Sequence, residues 1–322
     1  MPAVTVENPL VLPRLAVRDP EAVPRPVGRV VGAQLSVEGA GFQVWRPFPG
    51  VIGLHDADPF LLLDQLGPVW NEPRTAKGAP WHPHRGFETV TYLLDGEVAH
   101  HDSHGGGGVI GEGDTQWMTA GAGILHDEVP SERALRVGGR SHGVQLWVNL
   151  PARLKFTPPR YQALTGEHLT LLASEDGAAL VRLIAGDLDG HHGPGVTHTP
   201  ITYAHATLQP GARLQVPWTP AFSAMAYVLE GRGYAGPDDR PVTDHDLVVF
   251  GPGDSIGLRA ADRQPGPSPT LEVLLLGGLP IREPIAHYGP FVMNTRDEIV
   301  QAIDDYQEGR MGVVPATELA AD

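Results

Sequence analysis

The sequence predicts an all-β protein made of two similar barrels, and three observations carry that prediction. First, 40 Gly and 32 Pro without a collagen-like period cut the 322 residues into short segments. That is the punctuation of strands joined by turns rather than of long helices. Second, apolar runs of strand length recur between those turn signals. Third, Tyr92-Leu93-Leu94-Asp95-Gly96 lines up with Tyr227-Val228-Leu229-Glu230-Gly231 at an offset of 135, and Gly111-Glu112-Gly113-Asp114 with Gly251-Pro252-Gly253-Asp254 at 140. The halves therefore read as copies of one barrel.

In chain order, residues 1–27 form an N-terminal arm with scattered acids and prolines. Lacking a basic stretch followed by an apolar one, the arm does not read as a secretory leader. Residues 28–155 form the first barrel and 156–322 the second, with prolines and basic residues between Pro151 and Pro159 interrupting the strand pattern. The strand runs are Thr89 to Leu94, Val144 to Leu150, Leu169 to Ala173, Leu180 to Ala185, Ala224 to Leu229, Leu247 to Phe250 and Leu271 to Leu276. Near the end, Thr295 followed by Glu298, with Ile299, Ile303 and Tyr306 at helical spacing, predicts one short capped helix.

Composition excludes several functions. The formal charge of -15, with no basic stripe, disfavours binding to nucleic acid or to an anionic membrane. No apolar run approaches the ~20 residues that a helical membrane span requires, and the expectation is a cytoplasmic monomer. With 0 Cys, thiolate metal sites and thiol nucleophiles are ruled out, so any metal is held by N and O donors.

Such donors are present. In an extended strand the residues i and i+2 share a face, so His82 with His84, and His126 with Glu128, each present two donors to one interior. Two such strands side by side make a four-ligand site, open to exogenous molecules and suited to Fe(II), Mn, Co, Ni or Cu. Carried through the repeat offsets, His82, Pro83 and His84 fall on Pro217, Trp218 and Thr219, and His126 and Glu128 near Gly266 and Ser268. The second copy thus lacks the ligand types. A metal with one bound carboxylate favours an anionic oxygen ligand such as an enolate, and Glu128 is placed to take a substrate hydroxyl proton as the catalytic base.

The run from His82 to Glu128, with Asp114-Thr115-Gln116-Trp117-Met118-Thr119-Ala120-Gly121, Gln145 to Pro151, Arg282-Glu283-Pro284 and Tyr288 to Thr295, resembles the pirin family of the cupin superfamily. The resemblance spans most of residues 30 to 312. It implies a bicupin of two stacked jelly-roll barrels, with one Fe(II) held in the first by His82, His84, His126 and Glu128 and none in the second. It also implies a quercetin 2,3-dioxygenase type of activity, cleaving a flavonol or related enediol-like aromatic with O2. The alternative it implies is an iron- or redox-dependent regulatory protein that binds a transcription factor or a metabolic enzyme. The longer N-terminal arm and the Gly105 to Gly108 loop depart from the family pattern and touch substrate choice rather than the metal site.

Other residues compete for roles. Glu88 sits where many cupins place a metal carboxylate; in the pirin pattern it is expected to brace an imidazole or arginine. His100, His101, Asp102 and His104 precede four glycines and read as a solvated turn, and His191, His192 and His198 as loop residues. Gln116, Trp117 and Met118 lie on a strand beside the site, with Trp117 on the opposite face from the other two. Gly121 and Gly123 suit a tight turn or close backbone contact. A sugar isomerase would need paired basic residues near the ligands, and Arg85 stands alone.

Overall fold

The computed structural model describes residues 4–16, 21–264, 266 and 268–315. Two antiparallel seven-stranded sheets are each faced by a four-stranded sheet, as the all-β, two-barrel reading requires. Each apolar run named above falls on a strand, among them Phe87–Asp95, Gly139–Asn149, Met225–Glu230 and Leu271–Gly278. The C-terminal helix is Arg296–Gln307. Its Thr295 Oγ1 accepts from Glu298 N at 3.2 Å while Glu298 Oε2 accepts from Thr295 N at 2.8 Å, the reciprocal cap expected.

Strand alternation decides where each side chain goes. Val90, Tyr92, Leu146 and Val148 from one seven-stranded sheet meet Tyr203, Tyr227, Leu274 and Leu276 from the other, forming an apolar core between the barrels. The alternate residues face each barrel's own interior. In the second barrel these are Ala206, Val228, Val273 and Leu275, packed on Leu214, Val216, Ile256 and Leu258 of the four-stranded sheet. In the first they include Thr91, Gln116 and Gln145, which meet Glu128.

Hydrogen bonding crosses the boundary expected near residue 155. The strand Val27–Gly32 pairs with Asp246–Phe250 of the second barrel, and Arg160–Leu164 pairs with Thr115–Thr119 of the first. Each covers a sheet edge that would otherwise stand open. The arm preceding Val27 is strapped to the second barrel over its described residues. Leu15 enters that barrel's core, and Arg25, 3% exposed, donates to the carbonyls of Thr219, Pro220, Phe222 and Gly251. Residues 1–3 and 17–20 of the arm lie outside the described residues. Conversely the C-terminal tail packs on the first barrel, where Phe291, Met293, Ile299, Ala302 and Met311 close over Leu125.

The repeat needs one correction. The turn Gly111 to Asp114 precedes the strand Thr115–Thr119, whereas Gly251 to Asp254 follows the strand Asp246–Phe250. The true counterpart is Thr243-Asp244-His245-Asp246. In both turns the fourth residue's N–H donates to the first residue's carbonyl at 3.0 Å, and its carboxylate accepts the first N–H at 2.9 Å. The third residue has positive φ in both, 84° at Gly113 and 67° at His245. Only the first turn uses glycine there, so matching glycines drew the alignment one strand too far. Register then fixes the equivalences: His126 lies opposite His82 as Ile256 lies opposite Val216. The positions of His82, His84, His126 and Glu128 recur as Val216, Trp218, Ile256 and Leu258, not as Pro217, Thr219, Gly266 and Ser268. All four belong to the second barrel's apolar core.

Candidate metal centre

His82 and His84 come from the strand Ala79–His84, and His126 from its antiparallel neighbour Ile124–Pro130. The i, i+2 spacing turns both rings of the first strand inward, and the register brings the third against them. One donor atom from each ring lies within 4.8 Å of the others. The ring centroids are 4.7 Å (His82 to His84), 4.3 Å (His82 to His126) and 4.9 Å (His84 to His126) apart.

The Nδ1 atoms turn away from this cluster to fixed partners. His82 Nδ1 donates to Pro80 O at 2.7 Å and His84 Nδ1 to Pro290 O at 3.2 Å, while His126 Nδ1 meets His100 Nδ1 at 3.3 Å. A neutral imidazole that donates from Nδ1 has a bare lone pair on Nε2. Yet His82 Nε2 and His84 Nε2 stand 3.0 Å apart, and His126 Nε2 is buried with no hydrogen-bond partner among the described residues. Lone pairs facing one another are satisfied by a cation between them, so the residues fit a metal ion. Burial first, and the neighbouring His82 second, hold His84 and His126 well below the usual histidine range. Both rings are therefore neutral, as ligands must be. Phe87 and Trp147 pack against His84 at 5.0 and 5.2 Å.

Glu128 faces the same interior but stays outside the cluster of converging donor atoms. Its Oε1 accepts from Thr91 Oγ1 at 2.6 Å and from Gln116 Nε2, and its Oε2 accepts from Gln145 Nε2 at 3.0 Å. A register shift separates His126 from Glu128 along the strand pair, and the carboxylate, half-buried, turns to those donors instead of to the imidazoles. The structure thus brings together three of the four expected ligands and cages the fourth beside them.

Several other expectations change. Glu88, fully buried, accepts from Thr119 Oγ1 at 2.7 Å and Thr197 Oγ1 at 2.8 Å, bracing neither an imidazole nor an arginine. It is one residue out of phase with Thr89 and Thr91, and so points away from the interior. His100 and Asp102 do not sit in a solvated turn: they lie on the strand Val98–Asp102, 0% and 3% exposed. Among those four residues only His104 is exposed. Asp102 Oδ1 ties the following loop by accepting from His104 N at 2.7 Å and Gly106 N at 2.9 Å. His191 and His192 pair with Leu188 and Asp187 in a small hairpin and are not part of the converging cluster.

Trp117 packs in the core between the barrels, and Met118 against Ala120 and Ile124. A Cβ on Gly121, at φ +49°, would meet Thr157 O at 2.1 Å, so close backbone contact requires glycine there. Arg85 serves the tail, donating to Ala122 O and to Asp305 Oδ2, each at 2.6 Å. The sequence reading missed Thr91, Gln145 and His100. The first two carried a signal, since a polar residue at every second place within an apolar strand marks a polar interior.

Comparison with known proteins agrees with this geometry. The pirin sequence profile matches residues 41–148, and the profile of the pirin C-terminal cupin domain matches residues 203–312. A pirin-like protein of Solanum lycopersicum is 41% identical over 90% of this chain and 94% of its own length. Human pirin is 40% identical over 85% of this chain and 90% of its own. The crystal structure of a quercetin 2,3-dioxygenase from Acinetobacter baumannii superposes with a TM-score of 0.84 at 36% identity, covering 91% of this chain and 100% of that one. With both profiles matched and relatives of this identity aligned over most of its length, the chain belongs to the pirin family of cupins.

Proposed function

We propose that this protein is a metal-dependent dioxygenase of the quercetin 2,3-dioxygenase type, with Fe(II) as its metal and a flavonol or related enediol-like aromatic as substrate. The observation that carries the reading is the convergence of three imidazoles, found among the described residues in the first barrel alone, on an interior that also holds one carboxylate. The A. baumannii quercetin 2,3-dioxygenase, alike along nearly the whole chain, supports it.

His82, His84 and His126 hold the ion in this reading, and Glu128 joins them or stands beside them. Bound there, Fe(II) would supply Lewis acidity toward substrate oxygens and redox chemistry toward O2. Glu128 takes the substrate hydroxyl proton at a carboxylate oxygen, with Thr91, Gln116 and Gln145 fixing its direction. Phe87 and Trp147 keep water from the flank of His84.

The test is anaerobic purification with metal analysis, followed by O2 uptake on adding quercetin, with His82→Ala and Glu128→Ala as controls. Turnover that needs both iron and the two side chains is the expected result. No O2 uptake by the iron-loaded protein with any member of a flavonol panel would overturn it, leaving the iron-dependent regulatory protein as the reading to pursue.

A further inference from the structure

His126 is the one member of the triad whose Nδ1 meets another side chain rather than a backbone carbonyl. That partner, His100, is wholly buried, stacked on Tyr161 at 4.8 Å with 20° between the rings. Its Nδ1 lies 3.3 Å from His126 Nδ1. On the far side of the same ring, His100 Nε2 has no hydrogen-bond partner among the described residues, and Asp102 Oδ2 stands 3.7 Å from it. A shift of about 0.7 Å would bring that contact to hydrogen-bond length.

We propose that Asp102 and His100 form a positioning relay that fixes the tautomer and direction of His126. The proposal rests on the metal reading of the triad and deepens it. The logic runs outward from the metal position. For His126 Nε2 to offer a lone pair, its proton must sit on Nδ1. His100 Nδ1 must then accept that proton's hydrogen bond, so His100 carries its own proton on Nε2. A proton there points at Asp102, a carboxylate that is only an acceptor. The carboxylate therefore determines, through two rings, which nitrogen of His126 is bare. His82 and His84 need no such relay, because the carbonyls of Pro80 and Pro290 can only accept. Carboxylate support of a metal-bound imidazole is a general device for orienting ligands; here it acts through an intervening histidine.

Two measurements decide it. Long-range proton–nitrogen NMR of the metal-free protein reads histidine tautomers directly, the His100→Phe spectrum supplying the assignment. The expected result is His100 protonated on Nε2 and His126 on Nδ1; His100 protonated on Nδ1 would overturn the relay. Cobalt(II) affinity is the second readout. His100→Phe keeps a ring against Tyr161 but removes the acceptor. Asp102→Asn keeps Oδ1 for the His104 and Gly106 amides while turning the atom that faces His100 into a donor. Each is expected to weaken cobalt binding about 10- to 100-fold, and the double variant to lose no more than the worse single one. Unchanged affinity in variants that fold like the parent, or losses that multiply, would overturn the relay. A parent that binds no cobalt would instead sink the metal reading, and the tautomers would still decide the relay.

Discussion

The two barrels share one strand plan and fill it oppositely. Where the second places Val216, Trp218, Ile256 and Leu258 in a continuous apolar core, the first places His82, His84, His126 and Glu128. Facing them, the second has Ala226 and Leu275, and the first, at the same two places, has Thr91 and Gln145. A barrel that gives its interior to polar chemistry forgoes apolar burial there and needs support from outside. The first barrel has two external props: the shared core between the seven-stranded sheets, and the C-terminal tail closing over Leu125. One copy is thus free to hold a site because its neighbour holds a core.

The largest effect that could break this comparison comes from substituting corresponding positions. His126→Leu should cost more than about 100-fold in metal affinity, beyond what loss of outer support alone costs, while leaving the thermal unfolding of the metal-free protein near that of the parent. At the matching place Ile256→Ala should do the reverse, destabilising by about 3 kcal/mol through the cavity it leaves and leaving metal affinity unchanged. Urea unfolding and metal titration on both variants check the pair. If both lost metal, or both lost stability, the division of labour between the barrels would be wrong.

Much of this was legible in sequence, and what was not has physical reasons. His-x-His and His-x-Glu on strands announce themselves because a period of two needs no tertiary information, and Thr295 with Glu298 announces a helix cap for the same local reason. His100 was not legible. Its four following glycines look like a solvated loop, while its burial depends on pairing with Glu128 across two strands distant in sequence. Nor was the reach of the tail. Pro290 lies 206 residues from His84, whose Nδ1 its carbonyl accepts. The register of the second copy slipped because glycine is shared by turns in general, whereas the matching turn puts His245 at the left-handed place.

A smaller effect tests the seam between the barrels. Gln65 of the first donates to His142 Nε2 at 2.8 Å and to Leu229 O at 3.1 Å, and accepts from Tyr227 Oη at 2.9 Å and His245 Nδ1 at 3.0 Å. Burial first pushes His142 down to about 3, although Asp95 and Glu230, each 3.9 Å from its Nδ1, pull the other way. The unfolded chain protonates this histidine near its ordinary value of about 6.5, the folded chain only lower. Between those values the unfolded state binds more protons, so stability falls as pH falls through that window and is unaffected above it. The contribution should reach about 2 kcal/mol near pH 4.5, discounted for the two carboxylates. In His142→Gln the slope of stability against pH between about 6 and 4 should be shallower than in the parent; an identical slope would take His142 out of the acid response.

The mildest perturbation sharpens the claim that the tail props the first barrel alone. Asp305 Oδ2 accepts from Arg85 at 2.6 Å, and its Oδ1 from Gln301 at 2.6 Å and Arg310 Nε at 2.8 Å. Asp305→Asn keeps an oxygen for some of these donors but removes the charge facing Arg85, a guanidinium 5% exposed at its side chain. The expected cost is about 1 kcal/mol, between an exposed pair and a fully buried one, and it should appear locally. Amide exchange in Arg296–Gln307 and in Phe291–Met293 should quicken, because the apolar contacts of Ile299 and Met293 then hold the helix with one polar tie to the first barrel fewer. Exchange in Leu271–Gly278, inside the second barrel's sheet, should stay as it was. A uniform quickening across both barrels would mean that the tail supports the whole molecule, and that the polar interior of the first barrel is carried by the shared core alone.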